Sequence, residues 1–241
     1  AASDVYKRQE IMNAKSRKNL FVAIAVSLTA VSCSLGGKDY AMTSDESITK
    51  VKELVKANVD TETNKVYRIE WTEDEGNRKL ENVLTQIEVD YLGNDDYEYE
   101  LTINYRDGEF VAEKPEKGSA VYDSYKYSTA IDIDGLKAED IRGNVEKAGE
   151  LVAAQEDGAQ YEFQSVGKYV LYISPVPKKH EDKWEKWSDE YKNDYRQLQH
   201  NFDLNFVKKG EQSEVKGHRV WTNYYSISFE TSKNGEIVIE Q

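Results

Sequence analysis

Hydrophobic and polar positions recur along this chain with two different periods, and the switches between them mark its elements. Thr43 and Glu46 have the spacing of a helix-capping box, and Ile48, Val51, Leu54 and Val55 then recur three and four apart, which predicts an amphipathic helix. From Lys65 the period drops to two. Tyr67, Ile69 and Trp71 alternate with Arg68, Glu70 and Thr72, the signature of a half-buried strand. The same alternation returns in Val83, Thr85, Ile87, Val89 and Tyr91, and again in Tyr97, Tyr99, Leu101, Ile103 and Tyr105, with Gly93-Asn94-Asp95 as the turn between them. Asp107-Gly108 is a two-residue hairpin signal leading into a fourth strand over residues 109–113. Residues 43–114 thus predict one helix followed by a four-stranded antiparallel meander.

Beyond Lys114 the pattern loosens into PEKGS, and residues 115–241 read as a second α+β unit, either separate from the first or merged with it. A helix over residues 137–154 places Ile141, Val145, Ala148 and Val152 on one face, weakened by Gly143 and Gly149. Two strands, over residues 161–165 and 168–174, are expected to pair around Val166-Gly167, with Pro175 and Pro177 ending the second. Trp184, Trp187, Tyr191, Tyr195 and Leu198 are spaced three or four apart, which predicts a third helix with this aromatic stripe buried against the sheet. Strands over residues 201–208, 218–231 and 236–241 close the chain, the last two joined at Asn234-Gly235. The fold class is α+β: mainly antiparallel sheet with about three packed helices. The order helix-then-meander occurs twice and hints at two similar units, although no residue-level repeat accompanies it.

The N-terminal region has neither period. Lys15, Arg17 and Lys18 precede an apolar run from Leu20 to Val31, about half the ~20 residues needed to cross a bilayer, and Ala30-Val31-Ser32 then leads into Cys33. Residues 12–33 resemble the signal peptide and lipobox of bacterial lipoproteins, except that Ala30 stands where a lipobox usually carries Leu. The resemblance implies that residues 12–32 are removed as a lipoprotein signal peptide and that Cys33 is the lipid-attachment residue. Residues 33–42 would then form a tether to the membrane, holding the protein in the cell envelope outside the cytoplasm. Two or three acyl chains anchor stably, where one does not. Residues 1–11 precede the plausible initiator Met12 and read as a non-native upstream segment.

Charge narrows the partners. With 45 acidic against 32 basic side chains the chain carries −13, and the predicted leader is its most basic part. Nucleic acid is excluded as a partner, because phosphate-neutralising Lys and Arg are outnumbered. Cys33 is the single cysteine, so no internal disulfide can form. The three histidines, His180, His200 and His218, fall on different elements, and no HExxH, GxSxG or phosphate-binding glycine loop occurs. No metal, cofactor or catalytic residue is therefore expected. Asp132-Ile133-Asp134-Gly135 imitates the start of a calcium loop, but Leu136 and Gly143 occupy its fifth and twelfth positions where oxygen ligands belong.

One chemically suggestive pattern remains. Tyr122, Tyr125 and Tyr127 interleave with Asp123, Ser124 and Lys126, and flat rings beside short polar groups suit the apolar faces of sugars. These three tyrosines are the candidate ligand-binding residues; the competing reading packs the same rings into the core. The functional expectation is a lipid-anchored, non-enzymatic binding protein of the bacterial envelope, with a glycan or an envelope protein as partner. A carboxylate-dependent extracytoplasmic hydrolase of glycosidase type and a structural assembly partner are the alternatives. Burial discriminates them, since general acid catalysis needs a desolvated carboxyl, whereas carboxylates in the polar half of an alternating strand are expected to stay solvated.

Overall fold

A computed structural model describes residues 38–76, 78–118, 122–211, 213–216 and 219–240. The predicted leader and Cys33 lie outside the described residues. Helix α1 (Asp45–Asn58) is followed by strands β1 (Lys65–Glu73), β2 (Leu84–Leu92), β3 (Glu98–Arg106), β4 (Glu109–Ala112) and the two-residue β5 (Glu116–Lys117). Helix α2 (Ala138–Ala153) leads to β6 (Tyr161–Tyr172), the short helices α3 (Glu181–Trp184) and α4 (Asp189–Asn193), then β7 (Gln199–Lys208). Strands β8 (Glu214–Lys216) and β9 (Arg219–Trp221) form a small ribbon, and β10 (Tyr225–Thr231) and β11 (Ile237–Ile239) end the chain.

All but that ribbon belongs to one nine-stranded sheet in the order β11-β10-β7-β6-β1-β2-β3-β4, with β5 beside β3. The order explains the doubled motif seen in the sequence. The first strand of each unit, β1 and β6, pair antiparallel at the centre, from Arg68 opposite Tyr172 to Thr72 opposite Lys168. Each unit then unfolds outwards as a meander, β2-β3-β4 on one side and β7-β10-β11 on the other, and each is preceded by a helix. The two units form a single sheet over a single core. Ile48, Val51 and Val55 of α1 join Ile141, Val145, Ala148 and Val152 of α2 in one cluster with Ile69, Ile87, Val89, Leu101, Ile103, Leu171 and Leu204 of the strands.

A ladder of rings runs across the centre of this core. Trp71 stacks on Tyr169 at 4.9 Å between centroids, Tyr169 on Phe202 at 5.0 Å, and Phe202 on Phe229 at 5.4 Å. These residues are direct register partners on β1, β6, β7 and β10, so the ladder fixes the register across four strands. The Trp71 indole N–H donates to the Met42 carbonyl at 3.0 Å, tying the segment before α1 to the ladder.

Four local expectations are corrected. The cap of α1 is Ser44, whose hydroxyl accepts from the Ser47 N–H at 3.1 Å, so Thr43 and Glu46 do not form the box. Residues 161–172 are one strand carrying two bulges, with no hairpin at Val166-Gly167. A Cβ on Gly167 would stand 2.8 Å from the Asn205 side-chain nitrogen, so this glycine serves a close approach and not a turn. The stretch 218–231 divides into β9 and β10. The aromatic stripe from Trp184 to Leu198 is not one helix: it is two single turns, and Leu198 alone of its five side chains packs against the main core.

Candidate ligand-binding surface

In this antiparallel sheet β1 and β3 begin, and β2 and β6 end, at the same edge, so the loops 93–97, 118–137 and 173–198 emerge together there. Backbone bonds weave them: Lys178 N–H donates to the Tyr122 carbonyl at 2.8 Å, Ser124 N–H to the Val176 carbonyl at 2.7 Å, and Val176 N–H to the Ser128 hydroxyl at 2.8 Å. The two aromatic patterns of the sequence meet through this weave. Tyr127 packs on Trp184 at 5.8 Å, and Trp184 in turn contacts Trp187 and Tyr195, each at 5.7 Å. Trp187 is the hub, touching Tyr195, Tyr191 and His180 as well.

This knot is a satellite of the main core. Trp184 is buried, Trp187 and Tyr195 are half-buried, and Tyr191 is 65% exposed. Lysines cap its edges, Lys126 lying 4.6 Å from the Tyr127 ring centre and Lys192 6.0 Å from that of Trp184. The three candidate tyrosines are not equivalent. Tyr122 is 71% exposed. Tyr125 is held from both sides: its hydroxyl donates to the Thr63 carbonyl at 2.8 Å, and Lys65 sits 4.6 Å from its ring centre. Tyr127 belongs to the knot. The segment thus offers one free ring, one structural ring and one ring continuous with the tryptophans. Behind it, the wholly buried Ser124 hydroxyl finds no hydrogen-bond partner among the described residues.

Carboxylates gather at the same edge, and here the expectation that they are all solvated is corrected. The Glu98 and Asp123 carboxyl groups lie close enough to influence one another. Burial raises both pKa values; for Glu98 the nearby charges of Asp123 and Asp90 push further the same way, while for Asp123 the interaction with Glu98 opposes the rise. Burial, and then these three charges, likewise hold the Tyr67 phenol up, and its ring packs edge-on to Tyr172 at 6.4 Å. Asp90 is raised by burial against the pull of Arg68, which bonds it at 3.0 Å and also binds Glu70. No local signal in the sequence marks this group, because Glu98, Asp123 and Asp90 come from three separate segments.

At the opposite edge a second buried carboxylate is fully engaged. Glu73, with its side chain wholly inaccessible, accepts from the Ser165 hydroxyl and the Asn205 amide at 2.7 Å each, from the Asn82 N–H at 3.2 Å, and has Lys79 at 3.4 Å. Burial raises its pKa and these partners pull it back. Such engagement describes a buried clamp between β1, β6 and β7, its carboxylate out of reach of a ligand. The Asp132–Gly135 segment is a turn in which Asp132 accepts from the Gly135 N–H at 3.1 Å, and Lys56 of α1 pairs with Asp134. Among the described residues no group of three His, Cys, Asp or Glu side chains is arranged to hold a metal, and no helix is long and apolar enough to cross a membrane. His180 packs at a tilt against Trp187, His200 hydrogen-bonds Tyr169, and His218 lies outside the described residues.

Comparison with known family models, with characterised proteins and with solved structures finds no match.

Proposed function

We propose that this is a lipid-anchored binding protein of the bacterial envelope, tethered through Cys33, that captures a glycan on its aromatic edge without turning it over. The observation that carries the reading is the placement of the Trp187 knot. A globular chain normally hides rings of this size in its core, whereas here Trp187, Tyr191 and Tyr122 present surface, Tyr122 next in the chain to the half-buried Asp123. Sugar binding needs that combination: flat apolar faces for the ring C–H groups and fixed acceptors for the hydroxyls. Titrating the full chain with neutral β-linked oligosaccharides and following tryptophan emission tests it. Saturable quenching that weakens at least tenfold in both Trp187→Ala and Tyr122→Ala is the expected result. Absence of saturation across the panel, or binding unchanged in both variants, would overturn it.

A second reading has one observation in its favour. The Glu98–Asp123 pair provides a carboxyl with a raised pKa, as an extracytoplasmic hydrolase would require. A glycosidase would need the two carboxyl groups roughly 5 Å or more apart, with the scissile bond between them. Turnover of any glycoside that vanishes in Asp123→Asn would promote the hydrolase reading over binding.

A further inference from the structure

On the helix side of the sheet, a half-open cleft of about 430 Å³ separates α2 from the start of β7 and the β10–β11 turn. It lies within the size range of small-ligand sites. Its floor is apolar, with Leu171, Leu198 and Ile237, and its walls carry charges of both signs. Asp140, Asn144 and Lys147 all line it, and their spacing of four and three places them in a row along one face of α2. Gly143, on the same lining, leaves the helix bare there: a Cβ at that position would meet nothing within 4 Å.

The facing wall is organised by hydrogen bonds. Asn144 Nδ2 donates to the Tyr169 hydroxyl at 3.2 Å, and that hydroxyl lies 2.9 Å from His200 Nδ1. The arrangement that satisfies all three has the Tyr169 proton pointing at Nδ1, so the neutral imidazole carries its own proton on Nε2 as a donor. Burial favours the neutral ring. The backbone of His200 is locked as well, its N–H and carbonyl both bonded to the Thr231 hydroxyl at 3.0 and 3.2 Å. Asp140 and Lys147, by contrast, enter no ion pair among the described residues.

We propose that this cleft binds a short peptide of two or three residues with both termini free. Asp140 would take the terminal ammonium, Lys147 the terminal carboxylate, and His200 Nε2–H a backbone carbonyl between them. The spacing fits: seven helical residues rise about 10 Å, and two or three extended residues span roughly 7–10 Å. Lys137 and Glu139 line the cleft too, so the selecting feature is the spacing of Asp140 and Lys147 along one face of α2, and the apolar floor accommodates aliphatic side chains. The proposal does not rest on the glycan surface: loops 118–137 and 173–198 contribute to both, but Tyr122, Trp187 and Tyr191 are not among the residues lining this cleft.

The test uses calorimetric titration of the full chain with dileucine and trileucine, their N-acetyl forms and their C-terminal amides. At least one free peptide should bind saturably, with each blocked form at least tenfold weaker. Asp140→Asn should abolish the discrimination against the acetylated form, and Lys147→Met that against the amide; both positions are exposed on the helix, so the fold is retained. No saturable heat from either free peptide at ~10 mM, or equal affinity for free and blocked forms, overturns the proposal. Oligosaccharide binding lost in Trp187→Ala would persist in either event, which separates the two readings.

Discussion

Burying Glu73 strips its carboxylate of water, and four donors from three other segments replace that water. Removing it would leave Lys79, Ser165 and Asn205 facing an uncompensated hole. Glu73→Ala is therefore expected to lower stability by about 3–5 kcal/mol in a denaturant melt. Ser124 presents the opposite case. Its buried hydroxyl has no partner among the described residues, so Ser124→Ala removes a desolvation cost and should leave the melting temperature equal or higher. His200 titrates with a definite sign. Burial lowers its pKa from the ordinary 6.5, opposed by the charge of Asp140. The unfolded chain therefore takes up the proton first, and this contribution to stability is full above 6.5 and declines as the pH falls through the window beneath it. The buried carboxylates act with the opposite sign nearer their own range, so the clean measurement is a difference. The stability lost by the parent between about pH 7.5 and 5.5 should exceed that lost by His200→Gln.

Among the elements, the two single-turn helices α3 and α4 contribute side chains more than backbone. Helices this short have little intrinsic stability, and their aromatic rings hold the loop by contacting one another. Trp184, buried under Tyr127 and Tyr195, anchors that knot, whereas Trp187 is half-exposed at its rim. Trp184→Ala should cost about 3 kcal/mol or more, and Trp187→Ala clearly less, when the two are compared by thermal melt. Equal losses would mean that Trp187 is a core residue and would remove the surface on which glycan capture depends. The periodicity of 3 and 4 across Trp184 to Leu198 is real, but it reports rings that gather on one side of a folded loop. A helix would produce the same spacing, and what distinguishes the two is that the backbone leaves the helix after Trp184 and again after Asn193.

For the molecule as a whole, the pairing of β1 with β6 merges two helix-plus-meander units into one sheet, and the ring ladder Trp71–Tyr169–Phe202–Phe229 crosses that seam. Without the other, each unit would leave one side of its first strand unpaired, because β1 otherwise pairs only with β2 and β6 only with β7. Trp71→Ala is expected to cost about 3–5 kcal/mol and to unfold both units in a single transition, seen as coincident loss of far-ultraviolet and tryptophan signals. Location is a separate property of the chain. If Cys33 carries the anchor, Cys33→Ser should move the protein from the detergent-soluble membrane fraction to the soluble one with its melting temperature unchanged.

The sequence by itself determined the period of nearly every strand, both long helices, their apolar faces and the doubled order of elements, because each of these is a local property that repeats within a few residues. It also determined the acidic balance and the leader-like segment ending at Cys33. Tertiary structure alone decided that the two units share one sheet, that Gly167 accommodates Asn205, and that Tyr125 is tied to Thr63 while Tyr122 stands free. It likewise decided which carboxylates lose their water. Glu98 occupies a strand position that looks no different in sequence from Glu100, and what separates them is the loop that comes to lie over Glu98; Glu73 falls in the apolar phase of its strand with Ile69 and Trp71, but the partners that satisfy it there come from as far as Ser165 and Asn205.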